Sequence, residues 1–130
     1  MRLPPRACFA QVYHHLEFPR TICRQLRRAL RPGGRLVVID FHRDPARVRS
    51  HPAEWVWRHV RADQAAFRRE VLDCGFALQA EPTVDGLAEN YVMVFAPAPL
   101  TTPGLGWSSR ARAARDERAP PEEPRAPAVP

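Results

Sequence analysis

The sequence contains no lysine, so arginine alone supplies its positive side-chain charge. The 130 residues include 20 Arg and 14 acidic residues, which gives a formal net charge of +6 at pH 7. Residues 1–96 carry +5 of this charge, and residues 97–130, with five Arg and four acidic residues, carry the other +1. The C-terminal stretch therefore differs from a basic nucleic-acid-binding arm, and no recognised nucleic-acid motif accompanies the arginines. A nucleic-acid partner is not expected.

Cysteine is scarce, and the three residues present, Cys8, Cys23 and Cys74, lie far apart. An odd number of cysteines without a C-x-x-C pair indicates neither a disulfide framework nor a zinc site. Each cysteine is typical of a small buried hydrophobic residue in a reducing compartment.

Long hydrophobic runs are also missing. No apolar run approaches the roughly 20 residues that a membrane-spanning helix requires. The N-terminal sequence MRLPPRACFAQV starts with a positive charge but lacks the apolar stretch of about 7–15 residues that a signal peptide contains. These absences predict a cytoplasmic protein without a membrane partner.

Regular hydrophobic patterning is absent from residues 97–130, which are rich in Pro, Ala, Arg and Glu. The few apolar side chains there follow neither the helical nor the strand period, so the segment cannot bury a core. We predict a disordered tail over residues 97–130 and a single folded part over residues 1–96.

The first half of the folded part predicts a strand, a helix and a second strand. Ala7–Tyr13 is apolar with one polar residue, which is typical of a buried strand. Pro19–Leu30 has Pro in the first helical turn, an apolar stripe at helical spacing and an arginine-rich face that we expect to be solvated. The helix ends at Pro32-Gly33-Gly34, where glycine can take a left-handed cap conformation. Arg35–Phe41 follows without alternation, which predicts a strand covered on both faces.

The second half predicts one more helix and two more strands. Asp63 is a suitable N-cap for a helix that runs to about Asp73. Phe76–Ala80 and Asn90–Phe95 are typical of strands, and the latter is apolar enough to be central. Glu54–His59 is ambiguous and is interpreted as a short helical turn.

Four segments in this order resemble one protein family: QVYHHLEFP, LRRALRPGGRLVVIDF, EVLDCGFAL and AENYVMVFA. Together they resemble the C-terminal half of class I S-adenosylmethionine-dependent methyltransferases of the type 11 kind, from about Ala7 to Ala96. The resemblance implies an α/β fold with a partial Rossmann-like sheet and flanking helices. It also implies that the final strand is antiparallel and lies between the two strands before it.

The N-terminal half of such enzymes has no counterpart in this sequence. The resemblance implies that the Gly-rich loop and the acidic residue that hold S-adenosylmethionine belong to that half, and neither is found here. Gly104-Leu105-Gly106 is no substitute, because no strand precedes it. Without its usual neighbour, the strand Ala7–Tyr13 is expected to be an exposed edge, open to a protein partner or to self-association.

Candidate cofactor and catalytic residues follow the first strand, because ligands of open α/β sheets bind beyond the carboxyl ends of the strands. The resemblance implies that Gln11, Tyr13 and His14 contact the cofactor. His14 and His15 point to opposite sides if the chain is extended, so one of them is expected to reach the cleft. A histidine there could take a proton from the methyl acceptor. The alternative is that it orders the loop by hydrogen bonding.

Candidate substrate residues lie at the end of the second strand and beyond it. Asp40, His42 and Arg43 could contact the acceptor, although polar residues at a strand end also occur simply because they meet water. Trp55 could stack on a planar acceptor, with burial against the sheet as the alternative. If its segment is helical, Trp55 shares a face with His59.

A metal site is not expected among the histidines. His14, His15 and His42 could converge at neighbouring strand ends. Adjacent histidines on a strand are nevertheless a poor chelating pair, and no carboxylate motif completes the set.

The leading hypothesis is methyl transfer from S-adenosylmethionine to a small-molecule acceptor, with catalysis by positioning. The chain is expected to be a truncated form with little or no activity alone. A non-catalytic subunit that docks a partner through the exposed strand is one alternative, and a gene fragment is another. An Arg-rich nucleic-acid binder is a third alternative, whose signature would be salt-dependent binding to DNA.

Overall fold

The computed structural model describes residues 6–100. These residues form an α/β fold with four strands, three α-helices and one 3-10 turn over Tyr13–His15. The predicted disordered tail falls almost entirely on residues 101–130, which lie outside the described residues. In chain order the elements are β1 (Arg6–Ala10), α1 (Pro19–Ala29), β2 (Arg35–Phe41), α2 (Ala53–His59), α3 (Gln64–Leu72), β3 (Phe76–Ala80) and β4 (Asn90–Pro97).

The four strands form one sheet in the order β1-β2-β4-β3. β1 pairs with β2 in parallel, with Cys8 opposite Val37. β4 is antiparallel to both of its neighbours, with Val38 opposite Met93 on one side and Leu78 opposite Phe95 on the other. The final strand thus lies antiparallel between the two strands before it, as the sequence resemblance predicted.

The core lies between one face of the sheet and the helices α1 and α3. Alternate residues of β2 and β4 point toward these helices, which contribute Cys23 from α1 and Phe67 and Val71 from α3. Asp63 caps α3 as predicted, because its side chain accepts a hydrogen bond of 2.8 Å from the backbone of Ala66. The sheet residues in this cluster are Leu36, Val38, Tyr91, Met93 and Phe95, with Phe76 at the start of β3.

The opposite face of the sheet is only partly covered, which corrects the prediction that both faces of β2 are buried. Val37, Ile39 and Val94 on that face are partly exposed. Within residues 6–100, only its carboxyl end is covered, where Phe41 packs with α2 through Val56. An unbroken apolar run indicates that a strand favours burial on both faces. It does not specify which helix or loop packs on each face.

β1 is shorter than predicted, and this changes where its flanking residues lie. The strand was predicted to run to Tyr13 but ends at Ala10, because Gln11 takes a left-handed backbone conformation with φ of 56°. The backbone N–H of Gln11 still donates to the carbonyl of Ile39 at 2.7 Å, and the chain then turns into the 3-10 segment. His14 and His15 therefore do not alternate across a strand.

Not every arginine on α1 is solvated, which corrects a second expectation. Arg27 donates from Nε to the carbonyl of Gly75 at 2.6 Å and from its terminal nitrogen to the carbonyl of Ala98 at 2.8 Å. The guanidinium group thus satisfies main-chain oxygens at the start of β3 and after the end of β4. A residue on the arginine-rich face ties the helix to the far strands of the sheet.

Candidate functional site

The carboxyl end of β2 places a fully buried carboxyl group, Asp40, beside the turn that follows β1. Its two oxygens accept hydrogen bonds from the backbone N–H groups of His14 at 2.9 Å and Phe41 at 2.8 Å. A third contact joins Oδ1 to Nδ1 of the His14 ring at 2.6 Å. Asp40 therefore holds both the main chain and the imidazole of His14, which compensates the cost of burying a polar side chain.

The imidazole of His14 presents one nitrogen that the protein leaves unpaired. Because Nδ1 faces the Asp40 carboxyl, Nε2 lies on the opposite edge of the ring; it is buried and has no hydrogen-bond partner in the described part of the chain. Three aromatic rings surround the imidazole of His14. The distances between ring centroids are 3.9 Å for His15, 6.0 Å for Phe41 and 6.3 Å for Trp55. A carboxyl group that fixes one imidazole nitrogen while the other stays free is an arrangement suited to proton transfer.

Trp55 lies at the centre of a stacked aromatic cluster above this pair. Its ring stacks on His51 with centroids 3.7 Å apart and planes inclined by 20°. On the other side it stacks on His59 at 5.0 Å and 14°. The prediction that Trp55 and His59 share a face of a short helix is confirmed, whereas His51 was not anticipated. Phe41 meets both His51 and Trp55 edge-on, with centroids 5.5 Å away in each case.

The loop that carries His51 is anchored by Glu89, the residue just before β4. The carboxylate of Glu89 accepts hydrogen bonds from the backbone N–H groups of Arg49 at 2.8 Å and Ser50 at 2.9 Å. It also accepts one from the hydroxyl of Ser50. These hydrogen bonds hold the pKa of Glu89 below its ordinary value, and the one from the Ser50 hydroxyl has the largest effect. Ser50 Oγ lies 2.8 Å from Nδ1 of His51, which completes a chain of three side chains.

A groove of about 510 Å³ opens between this loop and the end of β1. Its wall includes Gln11, which the sequence predicted for the cofactor, and Phe41 at the end of β2. The loop before β4 forms the far wall. The full lining is Gln11, Phe41, Ser50, His51, Gly86, Ala88, Glu89 and Asn90.

Tyr13 lies in the core and has no exposed surface. Its hydroxyl donates a hydrogen bond of 3.1 Å to Oε2 of Glu70. The other oxygen of that carboxylate, Oε1, pairs with Arg61 at 2.6 Å. Burial raises the pKa of the Tyr13 phenol, and the nearby Cys23 and Glu70 add to this effect. Neither the ring nor the main chain of Tyr13 is therefore open to a cofactor in this structure.

Arg43 contacts α2, and His42 contacts β4. Arg43 donates from Nε to the carbonyl of Val60 at 2.8 Å, and its guanidinium group lies 4.8 Å from the ring of Trp57. It therefore caps the C-terminal end of α2. His42 packs edge-on against Tyr91 at 5.4 Å, and burial together with the charge of Arg47 lowers its pKa. Both His42 and Tyr91 line a second cavity of about 530 Å³ on the far side of the loop before β4.

No three His, Cys, Asp or Glu side chains within residues 6–100 converge closely enough to hold a metal ion. None of the helices in that range is both long enough and apolar enough to cross a membrane.

Comparison with known proteins identifies the fold. No protein-family model matches the sequence, and no curated protein sequence matches it either. Among solved structures, the chain is similar to a proposed type 11 methyltransferase from Sulfolobus solfataricus, with a TM-score of 0.55 and 16% sequence identity. The described part of the chain has a methyltransferase-like fold. The similarity covers 76% of this chain but 52% of the other, so the chain spans about half the length of that protein.

The methyltransferase-like fold explains why sequence reasoning found Asp40 and His14 but missed His51, Ser50 and Glu89. His14 follows β1 and Asp40 lies at the carboxyl end of β2, where the carboxyl-edge rule applies. The other three lie in loops. Ser50 and Glu89 are in contact, although they are 39 positions apart in the sequence. The dipeptide Ser50-His51 before Pro52 carries no motif that would have indicated its partner.

Proposed function

We propose that the chain takes part in S-adenosylmethionine-dependent methyl transfer to a small-molecule acceptor, at the carboxyl edge of β1 and β2. Two findings support this: the methyltransferase-like fold, and the Asp40–His14 pair at the edge where ligands of such sheets bind. The observation that carries the proposal is the buried, unpaired Nε2 of His14 beside the Asp40 carboxyl.

The described residues supply one side of a cofactor site. We propose that Gln11 and His14, which lie in the turn after β1, contact the cofactor; a contact by the buried Tyr13 stays a prediction. S-adenosylmethionine, when bound, supplies the activated methyl group. The sequence contains neither the Gly-rich loop nor the acidic residue that the family uses, so we propose that tight binding requires additional polypeptide.

The proposed chemistry needs a positioned acceptor and a proton acceptor. We propose His14 as the base, oriented by Asp40, with His15 as the second candidate because its ring lies 3.9 Å away. Trp55 is proposed to contact the acceptor. For His42 and Arg43 the observed contacts are structural, and a substrate contact stays a prediction for both. Alignment of the reacting atoms also raises the rate of methyl transfer, and the hydrogen bonds of Asp40 would maintain this alignment.

An NMR titration of the full chain with S-adenosylmethionine at millimolar concentration tests the proposal. Backbone amide shifts are expected to change at Gln11, His14 and their neighbours, and His14→Ala is expected to weaken the response severalfold. His59→Ala is the matched control, because it removes an imidazole from the same aromatic cluster without touching Asp40. No shift changes, or changes confined to other parts of the sheet, would contradict the proposal.

Calorimetry with the same ligand tests the expected incompleteness of the site. We expect the isolated chain to bind S-adenosylmethionine more weakly than micromolar. Micromolar binding would show that the chain needs no further polypeptide.

A second candidate function is that of a non-catalytic, partner-binding subunit. It is favoured by β1, the first strand in the sheet order, whose residues Cys8 and Ala10 are exposed. Such a strand offers unpaired backbone groups to another strand. Co-purification of a stoichiometric partner would support this function, whereas a monomer with a sharp melting transition would count against it.

A further inference from the structure

The hydrogen-bond chain Glu89–Ser50–His51 fixes which nitrogen of His51 carries the proton. A carboxylate accepts hydrogen bonds and cannot donate one, so the short contact between Ser50 Oγ and Glu89 Oε2 uses the only hydroxyl hydrogen of Ser50. The 2.8 Å contact between Ser50 Oγ and His51 Nδ1 must then be donated by Nδ1–H. A neutral His51 therefore has its lone pair on Nε2.

The position of the ring directs this lone pair away from the anchoring loop. Nδ1 faces Ser50, so Nε2 lies at the other edge of the imidazole. The ring is held flat against Trp55 at 3.7 Å and lines the 510 Å³ groove beside Phe41. The groove lies within the roughly 300–1,000 Å³ of typical small-molecule sites. It thus combines an aromatic wall with a hydrogen-bond acceptor of fixed orientation.

Asn90 supplies the complementary donor. It lines the same groove, and its Nδ2 has no hydrogen-bond partner within the described residues. A buried amide left unpaired costs free energy, and rotation about its terminal torsion is easy, so a ligand oxygen at this point would be favourable.

The charge of the groove further restricts the ligand. Among the described residues, its only charged one is Glu89, whose carboxylate already accepts three hydrogen bonds from Arg49 and Ser50. Within residues 6–100, no arginine lines the groove to balance an anion. Both oxygens of the Glu89 carboxylate already accept hydrogen bonds, so neither is left to attract a cation.

We propose that this groove binds a planar, uncharged molecule that donates a hydroxyl or N–H hydrogen to His51 Nε2 and accepts a hydrogen bond from Asn90 Nδ2 through a carbonyl-type oxygen. This assignment goes beyond the proposed function: the groove is lined by His51 and not by His14, and binding there needs no cofactor. Ser50 and Glu89 are positioning residues, which act through His51.

Three related probes test the two contacts separately. 4-Hydroxyacetophenone has the planar ring, the hydroxyl and the carbonyl; acetophenone lacks the hydroxyl and phenol lacks the carbonyl. Binding to the full chain at neutral pH is measured by NMR shift changes. The complete probe is expected to bind about tenfold more tightly than either partial probe, because one net hydrogen bond contributes roughly that factor.

Variants assign each preference to one residue. His51→Ala is expected to abolish the advantage of 4-hydroxyacetophenone over acetophenone but to keep its advantage over phenol. Asn90→Ala is expected to do the reverse. His59→Ala, which removes the other imidazole stacked on Trp55, is expected to leave both preferences unchanged. Equal affinity for the three probes, or preferences that survive both variants, would overturn the proposal.

The protonation pattern of His51 provides a readout that does not depend on any ligand. Nitrogen-15 NMR of the imidazole is expected to show the hydrogen on Nδ1 in the wild type, and a shift toward the Nε2–H form in Ser50→Ala. An Nε2–H form in the wild type would overturn the proposed orientation. Because no S-adenosylmethionine is present in these measurements, their failure is distinguishable from failure of the methyl-transfer proposal.

Discussion

Two buried tyrosines show how much depends on a single hydroxyl group. Tyr13 and Tyr91 both belong to the core, and burial raises the pKa of both phenols. The hydroxyl of Tyr13 lies 3.1 Å from Glu70, whereas that of Tyr91 has no partner among residues 6–100. The same deletion should therefore have different effects at the two positions, because a satisfied buried hydroxyl stabilises the fold and an unsatisfied one does not.

We expect Tyr13→Phe to lower the free energy of unfolding by about 1 kcal/mol. Tyr91→Phe, its matched control, should be neutral or stabilising. It removes a buried hydroxyl that gives up its hydrogen bonds to water on folding and gains none in the described residues. Urea denaturation of the two variants and the wild type measures both effects. Equal destabilisation by the two substitutions would contradict the hydrogen-bond assignment.

At the residue scale, the sequence predicted which side chains lie near the carboxyl edge better than it predicted their roles. Asp40 and His14 were found because one lies at the carboxyl end of a strand and the other follows one. The inward direction of Tyr13 was missed, because it depends on the left-handed backbone of Gln11, and glutamine gives no local signal for that conformation.

At the scale of elements, the joint between α3 and β3 depends on a glycine in close contact with α1. Gly75 has φ of 85°, and a Cβ atom there would lie 2.6 Å from Nε of Arg27. Gly33, which precedes β2, has a similar φ of 79° but nothing within 4 Å of the added atom. The two glycines therefore separate the cost of the backbone conformation from the cost of the contact.

Gly33→Ala is expected to cost about 1 kcal/mol, as the left-handed penalty is partly offset by the reduced freedom of the unfolded chain. Gly75→Ala should cost a further ~1–3 kcal/mol, because Arg27 must leave the carbonyls of Gly75 and Ala98. Thermal denaturation of both variants measures the difference. Equal costs would indicate that Arg27 moves freely.

The anchoring of loop residues 49–50 to β4 should depend on pH. Because hydrogen bonds hold the folded-state pKa of Glu89 below its ordinary value of 4.5, its stabilising effect is present above that value and is lost as the pH falls through the folded-state pKa. Glu89→Gln is therefore expected to reduce the fall in stability below about pH 4.5. Unfolding free energies measured across this range test the prediction.

Glu54→Gln is the matched control, because Glu54 is an exposed carboxylate paired only with Arg58 on the same helix. Its slope of stability against pH should match that of the wild type. Identical slopes for all three proteins would argue against anchoring by Glu89.

The elements themselves were largely predictable. Pro19 and Asp63 mark helix starts, and Pro32-Gly33-Gly34 marks the end of α1, because each acts through local backbone geometry. What local pattern does not contain is the partner of an apolar face. Val37 and Ile39 gave β2 the appearance of a doubly covered strand, yet in residues 6–100 the helices α1 and α3 pack on one face only.

At the scale of the whole molecule, the exposed strand β1 and the partly covered face beside it favour association. We expect the chain to associate reversibly at high concentration under reducing conditions, and a charge on β1 to oppose this. Cys8→Arg should lower the associated fraction in sedimentation equilibrium, whereas Ala65→Arg, at an exposed site on the helix α3, should not. A wild-type chain that stays monomeric at every concentration would contradict the expectation.

The stacking of Trp55 between His51 and His59 has a spectroscopic consequence. Because His51 lines the groove and lies against the indole ring, a molecule that binds there should change the emission of Trp55. With Trp57 and Trp107 replaced by Phe, that emission follows occupancy of the groove without an attached label.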